Sequence, residues 1–140
     1  MASKFIALPK GVSEKSFAAA IAEFRRIVGQ DSVLVTAEQL APYIKTMMPV
    51  PDADHTPSAA LLATTVEQIQ KIVAVCNKYK VPIWMISTGR NFGYGSAAPA
   101  ERGQVVLDLK RMNRILEVDP DLCFALVEPG VTYKQLYDYI

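Results

Sequence analysis

Gly89, Gly93 and Gly95 crowd into the run Ser87-Thr88-Gly89-Arg90-Asn91-Phe92-Gly93-Tyr94-Gly95-Ser96. Glycine tolerates φ > 0 and carries no Cβ, so backbone N–H groups in such a run can close on a ligand. Successive N–H groups form a concave anion site, and the hydroxyls of Ser87, Thr88 and Ser96 add donors. A pyrophosphate suits that pattern, with Arg90 available for a charge-assisted contact or for a surface ion pair. Composition alone leaves a purely structural turn equally open. Spacing excludes two better-known loops. No Gly-Lys-Ser/Thr follows, so the run is not the phosphate loop of NTPases. Nor does a GxGxxG open directly into a helix, because Ala97 to Gly103 continues as loop, and the fingerprint of doubly wound dinucleotide sites is absent.

The elements around the run explain how it would be held. Ser58 to Ala63 is small and apolar, suiting a buried strand. Thr65-Val66-Glu67-Gln68 fits a capping box, and Val66, Ile69, Ile72, Val73 and Cys76 follow at helical spacing, with Lys78 and Lys80 in the last turn. Val81 to Ile86 is an apolar run that predicts a second buried strand. Strand, helix and strand within about 30 residues make a βαβ unit with parallel strands. Ligands of such sheets bind beyond the carboxyl ends of the strands. The Gly-rich run begins at that end.

Upstream, Phe17, Ile21, Phe24 and Val28 share a helical face between a Ser13 cap and a Gly29 stop, and Ser32 to Val35 reads as a short strand. Four prolines, Pro42, Pro49, Pro51 and Pro57, mark an irregular segment. Downstream, Gln104 to Leu109 predicts a strand. Arg114 to Val118 and Leu122 to Val127 flank Asp119-Pro120-Asp121 and predict an antiparallel hairpin. Thr132-Tyr133-Lys134-Gln135 opens a last helix with a second capping box. That helix reaches Ile140 after about two turns and ends on apolar residues, so the chain reads as the N-terminal part of something larger.

The run from Ile86 to Pro99 resembles the FAD-pyrophosphate loop of the vanillyl-alcohol oxidase and p-cresol methylhydroxylase flavoprotein family. Val105 to Leu109, Met112 to Leu116 and Val127 to Thr132 are similar to its neighbouring segments, and the likeness extends to Leu8–Val12, Met47–Val50 and Ala63–Gln68. It covers essentially the whole chain. The resemblance implies an α+β fold, the N-terminal part of a PCMH-type FAD-binding domain, with a βαβ unit plus antiparallel strands. Residues 1–57 would form a helical and irregular segment, and 58–140 the N-terminal portion of that domain.

The same resemblance implies FAD as cofactor. Ser87, Thr88, Gly89, Arg90, Asn91, Gly93, Gly95 and Ser96 would wrap its phosphates, and Glu128, Pro129, Gly130 and Val131 would run along it as a second backbone contact. Tyr94 matches the family tyrosine that hydrogen-bonds the phenolic oxygen of the substrate. A 4-alkylphenol such as p-cresol would lose hydride to give a quinone methide, to which water adds. Electrons would pass to a c-type cytochrome partner or, as in vanillyl-alcohol and eugenol oxidases, to oxygen; these residues leave the acceptor open. An oligomeric complete protein is also implied. The family's other catalytic groups and the residue that tethers its flavin belong to a later region, so the 140 residues alone are expected to be inactive. The rival description is a non-catalytic fragment.

Composition supports a folded chain: 51% hydrophobic and 21% charged residues argue against disorder. Charge is nearly balanced, with Lys plus Arg 15 against Asp plus Glu 14, which argues against a nucleic-acid surface. No apolar run approaches the ~20 residues of a membrane span. No export signal is visible, which reads as cytoplasmic; a c-type cytochrome partner would instead imply the periplasm. Cys76 and Cys123 read as two small core side chains. His55 stands without the companion ligands of a metal site, and Trp84 reads as core. Asp108, between Leu107 and Leu109, reads as an outward strand position, with a buried hydrogen-bonded role left open. Lys110-Arg111 reads as a solvated turn, and Tyr43, Met47 and Met48 as packing residues.

Overall fold

The computed structural model describes residues 5–89 and 96–140. Helix α1 (Glu14–Val28) starts where the Ser13 hydroxyl accepts from Ser16 N–H, and stops at Gly29, whose φ of 90° an L side chain rarely adopts. Strand β1 (Val33–Leu34) follows, then a single turn, α2 (Ala37–Leu40). Thr36 and Gln39 form a full capping box there. The proline-rich stretch holds only short 3₁₀ turns at Ala41–Tyr43 and Asp52–His55, as its missing donors require.

Strand β2 (Ala59–Leu62), helix α3 (Val66–Tyr79) and strand β3 (Ile83–Ile86) make the expected unit, followed by β4 (Val105–Asp108). The four-stranded sheet runs β1-β2-β4-β3. β1 pairs antiparallel with β2, while β2, β4 and β3 are parallel. β4 therefore sits between the two strands of the βαβ unit. One face of the sheet carries Ala59, Leu61, Val105 and Leu107 against Phe17, Ile21 and Phe24 of α1 and Ile72 and Cys76 of α3. The opposite face carries Ala60, Ile86 and Val106 under Leu40 and Tyr43, with Trp84 packed alongside. Residues 5–57 and 58–140 thus share one core.

Strands β5 (Ile115–Asp119) and β6 (Phe124–Val127) form the antiparallel hairpin, and α4 (Tyr133–Tyr139) follows. The turn is closed by Asp119 Oδ1, which accepts from Leu122 N–H at 2.8 Å.

Several expectations need correction. β3 is not a fully buried strand: it forms the edge of the sheet, and Met85 is 62% exposed. Cys123 is exposed with φ 55° in the hairpin turn, so only Cys76 is a core thiol, and burial pushes that thiol up to about 12. Neither later capping box closes as its sequence suggests. Gln68 Oε1 accepts from Thr64 N–H rather than from the Thr65 cap, and Gln135 Nε2 donates across to the Asn113 carbonyl. In both helices the threonine half of the cap is present. Met47 and Met48 are exposed, not packed.

Candidate functional site

The Gly-rich run leaves the sheet at the carboxyl end of the edge strand β3, beside the end of its parallel neighbour β4, with β2 one strand further on. The loop base is fixed by Leu109 N–H, which donates to the Ile86 carbonyl at 2.9 Å. Ser87 is half-buried and Thr88 exposed. Gly89 adopts φ +73°, and a Cβ there would stand 3.1 Å from Ala97 Cβ, so the turn both needs and uses the missing side chain. Ser96 Oγ accepts from Ala98 N–H at 3.2 Å and closes the far side. Arg90, Asn91, Gly93, Gly95 and Tyr94 lie outside the described residues.

Glu128, Pro129, Gly130 and Val131 turn the chain between β6 and α4. The Glu128 carboxylate is 8% exposed and fully engaged: Oε2 accepts from Arg114 N–H at 2.8 Å, and Oε1 from Arg114 Nε and Nη2 at 3.0 and 2.6 Å. That guanidinium holds the carboxyl below its usual range. The backbone amides are committed too. Glu128 N–H donates to Arg114, Gly130 N–H to Met112 and Val131 N–H to the Glu128 carbonyl, while Pro129 has no N–H. This segment can therefore offer a cofactor carbonyls and surface, but not amide donors. Gly130 packs so closely on the backbone that a Cβ would meet the Leu109 and Lys110 carbonyls at 2.7 Å.

Asp108 is the residue whose neighbourhood the sequence left open. It is the last residue of β4, and alternation turns it away from Leu107, as expected. That second face is not solvent, because Leu40 and Tyr43 cover it, and Asp108 is 2% exposed. Its Oδ2 accepts from Tyr43 OH at 2.6 Å and ion-pairs with Lys110 Nζ at 3.1 Å, which donates to Tyr43 OH at 3.3 Å, and its Oδ1 accepts from Lys110 N–H at 2.9 Å. Burial and the adjoining carboxylate push the Tyr43 phenol well above its ordinary range, so it remains a donor. The legible signal was an acid closing the apolar run Val105-Val106-Leu107. Lys110 and Arg111 form the exposed turn expected of them, yet both side chains are engaged: Lys110 serves this cluster, and Arg111 bonds the Ser32 hydroxyl at 2.9 Å.

His55 lies with Nδ1 2.7 Å from the Pro99 carbonyl, a structural contact behind the loop. Among the described residues no cluster of His, Cys, Asp and Glu could hold a metal, and no helix is long and apolar enough to cross a membrane. A cleft lined by Arg114, Leu116, Gln135 and Tyr139 opens between the hairpin and α4. Among the described residues it shares none with the Gly-rich run, and its described walls bring together no catalytic pair.

The described ends of the run suit an FAD pyrophosphate: they stand at the carboxyl end of a parallel strand pair, Gly89 takes a left-handed turn, and the Ser87 and Thr88 hydroxyls carry no hydrogen bond among the described residues. Residues 57–140 match the family model described as an FAD binding domain. The chain belongs to that family of FAD-binding domains, within the vanillyl-alcohol oxidase and p-cresol methylhydroxylase flavoproteins. It is 63% identical over 133 residues to the 4-cresol dehydrogenase [hydroxylating] flavoprotein subunit of Pseudomonas putida, covering 95% of this chain and 26% of that protein. The crystal structure of p-cresol methylhydroxylase with substrate bound superposes with a TM-score of 0.93 at 63% identity, over 96% of this chain and 26% of that one. The 4-ethylphenol oxidase from Gulosibacter chungangensis gives 0.89 at 41% identity, over 94% and 25%. The chain thus spans about a quarter of the length of these relatives.

Proposed function

We propose that the protein carrying this chain is an FAD-dependent oxidoreductase that oxidises and hydroxylates 4-alkylphenols such as p-cresol. The observation that carries this reading is the 63% identity to a 4-cresol dehydrogenase flavoprotein over 133 residues. Residues 58–140 are its share of the cofactor domain, and residues 1–57 a preceding segment that completes the core beneath it. Ser87, Thr88, Gly89 and Ser96, with Arg90, Asn91, Gly93 and Gly95, hold the FAD phosphates. Glu128 to Val131 line the cofactor through carbonyls and surface.

Bound FAD supplies a hydride acceptor. Tyr94 acts on the other reactant: its hydroxyl donates to the phenolic oxygen. Hydride leaves a benzylic carbon more easily when that oxygen is charged. A free phenol has a pKa of about 10, so populating phenolate at neutral pH costs about 4 kcal/mol, which converging donors offset. Loss of hydride gives a quinone methide, and water adds at the benzylic carbon to give the alcohol. The electrons pass to a c-type cytochrome partner, an arrangement that suits the periplasm. The likeness to 4-ethylphenol oxidase favours oxygen as the second reading.

Anaerobic addition of 4-methylphenol to the full-length protein should bleach its flavin absorbance, and reoxidation by cytochrome c or by oxygen then separates the acceptors. A flavin that stays oxidised with every 4-alkylphenol tried would overturn the substrate class. Tyr94→Phe should lower kcat/KM for 4-methylphenol about a hundredfold, the scale of one lost transition-state donor, with flavin content unchanged.

A further inference from the structure

We propose that Asp108, with Tyr43 and Lys110, is a positioning cluster for the cofactor: it fixes the exit of β4, from which both cofactor-facing segments hang. The proposal rests on the FAD reading above. Asp108 pairs in register with Ile86, the residue immediately before Ser87. Directly beyond it, Leu109 N–H bonds the Ile86 carbonyl and so sets the base of the Gly-rich loop. On the other side, Gly130 N–H donates to the Met112 carbonyl at 2.7 Å, while the bare Gly130 Cα rests on the Leu109 and Lys110 carbonyls. Residues 108–112 are therefore gripped by the loop base on one side and by the 128–131 turn on the other.

The Asp108 carboxylate decides where that segment goes. Oδ1 accepts from Lys110 N–H and folds the chain back as soon as the strand ends, a local bond that no apolar side chain offers. Oδ2 is held from the second face by the Tyr43 hydroxyl at 2.6 Å, and Lys110 Nζ, 3.1 Å away, balances the charge. Tyr43 itself is seated by the 3₁₀ turn Ala41–Tyr43. The irregular segment before residue 58 thereby reaches the cofactor loop through one buried acid. Packing alone would be served as well by an apolar residue, since burying a carboxylate is costly. Its two oxygens instead join the chain just past the strand, through Lys110, to Tyr43 of the distant irregular segment.

The test uses the full-length protein prepared as apoprotein, with FAD uptake followed by flavin fluorescence and by the visible circular dichroism of the bound flavin. Asp108→Asn should raise the half-saturating FAD concentration by about tenfold or more, the scale of a hydrogen bond lost at a charged group, and alter the dichroism. Tyr43→Phe should do both more weakly. Glu23→Gln removes a matching carboxylate–tyrosine–lysine set on the opposite face and should leave FAD uptake at the wild-type value. Variants of Asp108 and Tyr43 that melt lower yet take up FAD like the wild type would overturn the proposal and reduce the cluster to packing. If Asp108→Asn does not fold, Tyr43→Phe decides alone, and unchanged uptake overturns. A wild-type apoprotein that ignores FAD removes the family reading beneath, and the proposal with it.

Discussion

Two clusters in this molecule are built from the same three groups and behave differently because of where they sit. Glu23 Oε1 accepts from Lys78 Nζ and Tyr79 OH, both at 2.6 Å, and ties α1 to α3 at the outer surface of the helical layer. Its side chain is 28% exposed and its lysine 60%. Asp108 accepts from Tyr43 OH at 2.6 Å and ion-pairs with Lys110 Nζ at 3.1 Å, with its side chain only 3% exposed. Water screens the first set and competes for each of its bonds, so its net contribution is small. In the second only Lys110 reaches water, at 52% exposed, while the acid and the tyrosine are shielded, so losing either of those two strands the other in a low-dielectric site. The contacts are alike. Burial decides their consequences.

The comparison can be broken by substitution, and the largest effect should come from Asp108→Ala. Leaving the Tyr43 hydroxyl buried without an acceptor should cost about 3 kcal/mol of stability, read as a lowered denaturation midpoint of the full-length apoprotein. Tyr43→Phe keeps the ring and removes one donor, so a loss of about 1.5 kcal/mol is expected in the same measurement. Glu23→Gln should shift the midpoint less than either, and a salt series to about 1 M should erase that shift, because screening acts most on the set whose acid is itself exposed. A Glu23 effect as large as that of Tyr43, and equally indifferent to salt, would break the contrast.

Acid sharpens it. The Lys78 ammonium draws the Glu23 carboxyl below its usual range, with Tyr79 adding a second bond. The Arg114 guanidinium does the same for Glu128. A depressed folded value means that the stabilisation is fully present above the unfolded carboxylate pKa of about 4.3 and is lost as pH falls through the folded values. The melting temperature should therefore hold steady near neutrality and fall in that acidic window, and Glu23→Gln should flatten part of the fall. A decline already complete at neutral pH would contradict the assignment.

Much of the fold was legible in local patterns. The i, i+3, i+4 spacing of Phe17, Ile21 and Phe24, bounded by Ser13 and Gly29, wrote α1 almost to the residue. Asp119-Pro120-Asp121 marked the hairpin turn because short acids bond nearby backbone N–H groups. The Gly-rich run was visible as an anion site, and its resemblance supplied FAD. Less legible were contacts set by distant partners. Nothing local put β4 between β2 and β3, or covered the second face of the sheet with Leu40 and Tyr43. Asp108 looked outward for that reason.

The sequence by itself determined the longer elements, the serine and threonine halves of their caps and the glycine run, because each depends on interactions within a few residues. It also fixed the family, whose model matches residues 57–140. Only the tertiary structure decided what stands beside the run. Strand order brings Asp108 opposite Ile86, Tyr43 reaches that acid from 65 residues away in the chain, and Glu128 to Val131 spend their amide donors on other backbone groups. Those pairings depend on which surfaces remain to be covered once the sheet has formed, and no local pattern encodes that choice.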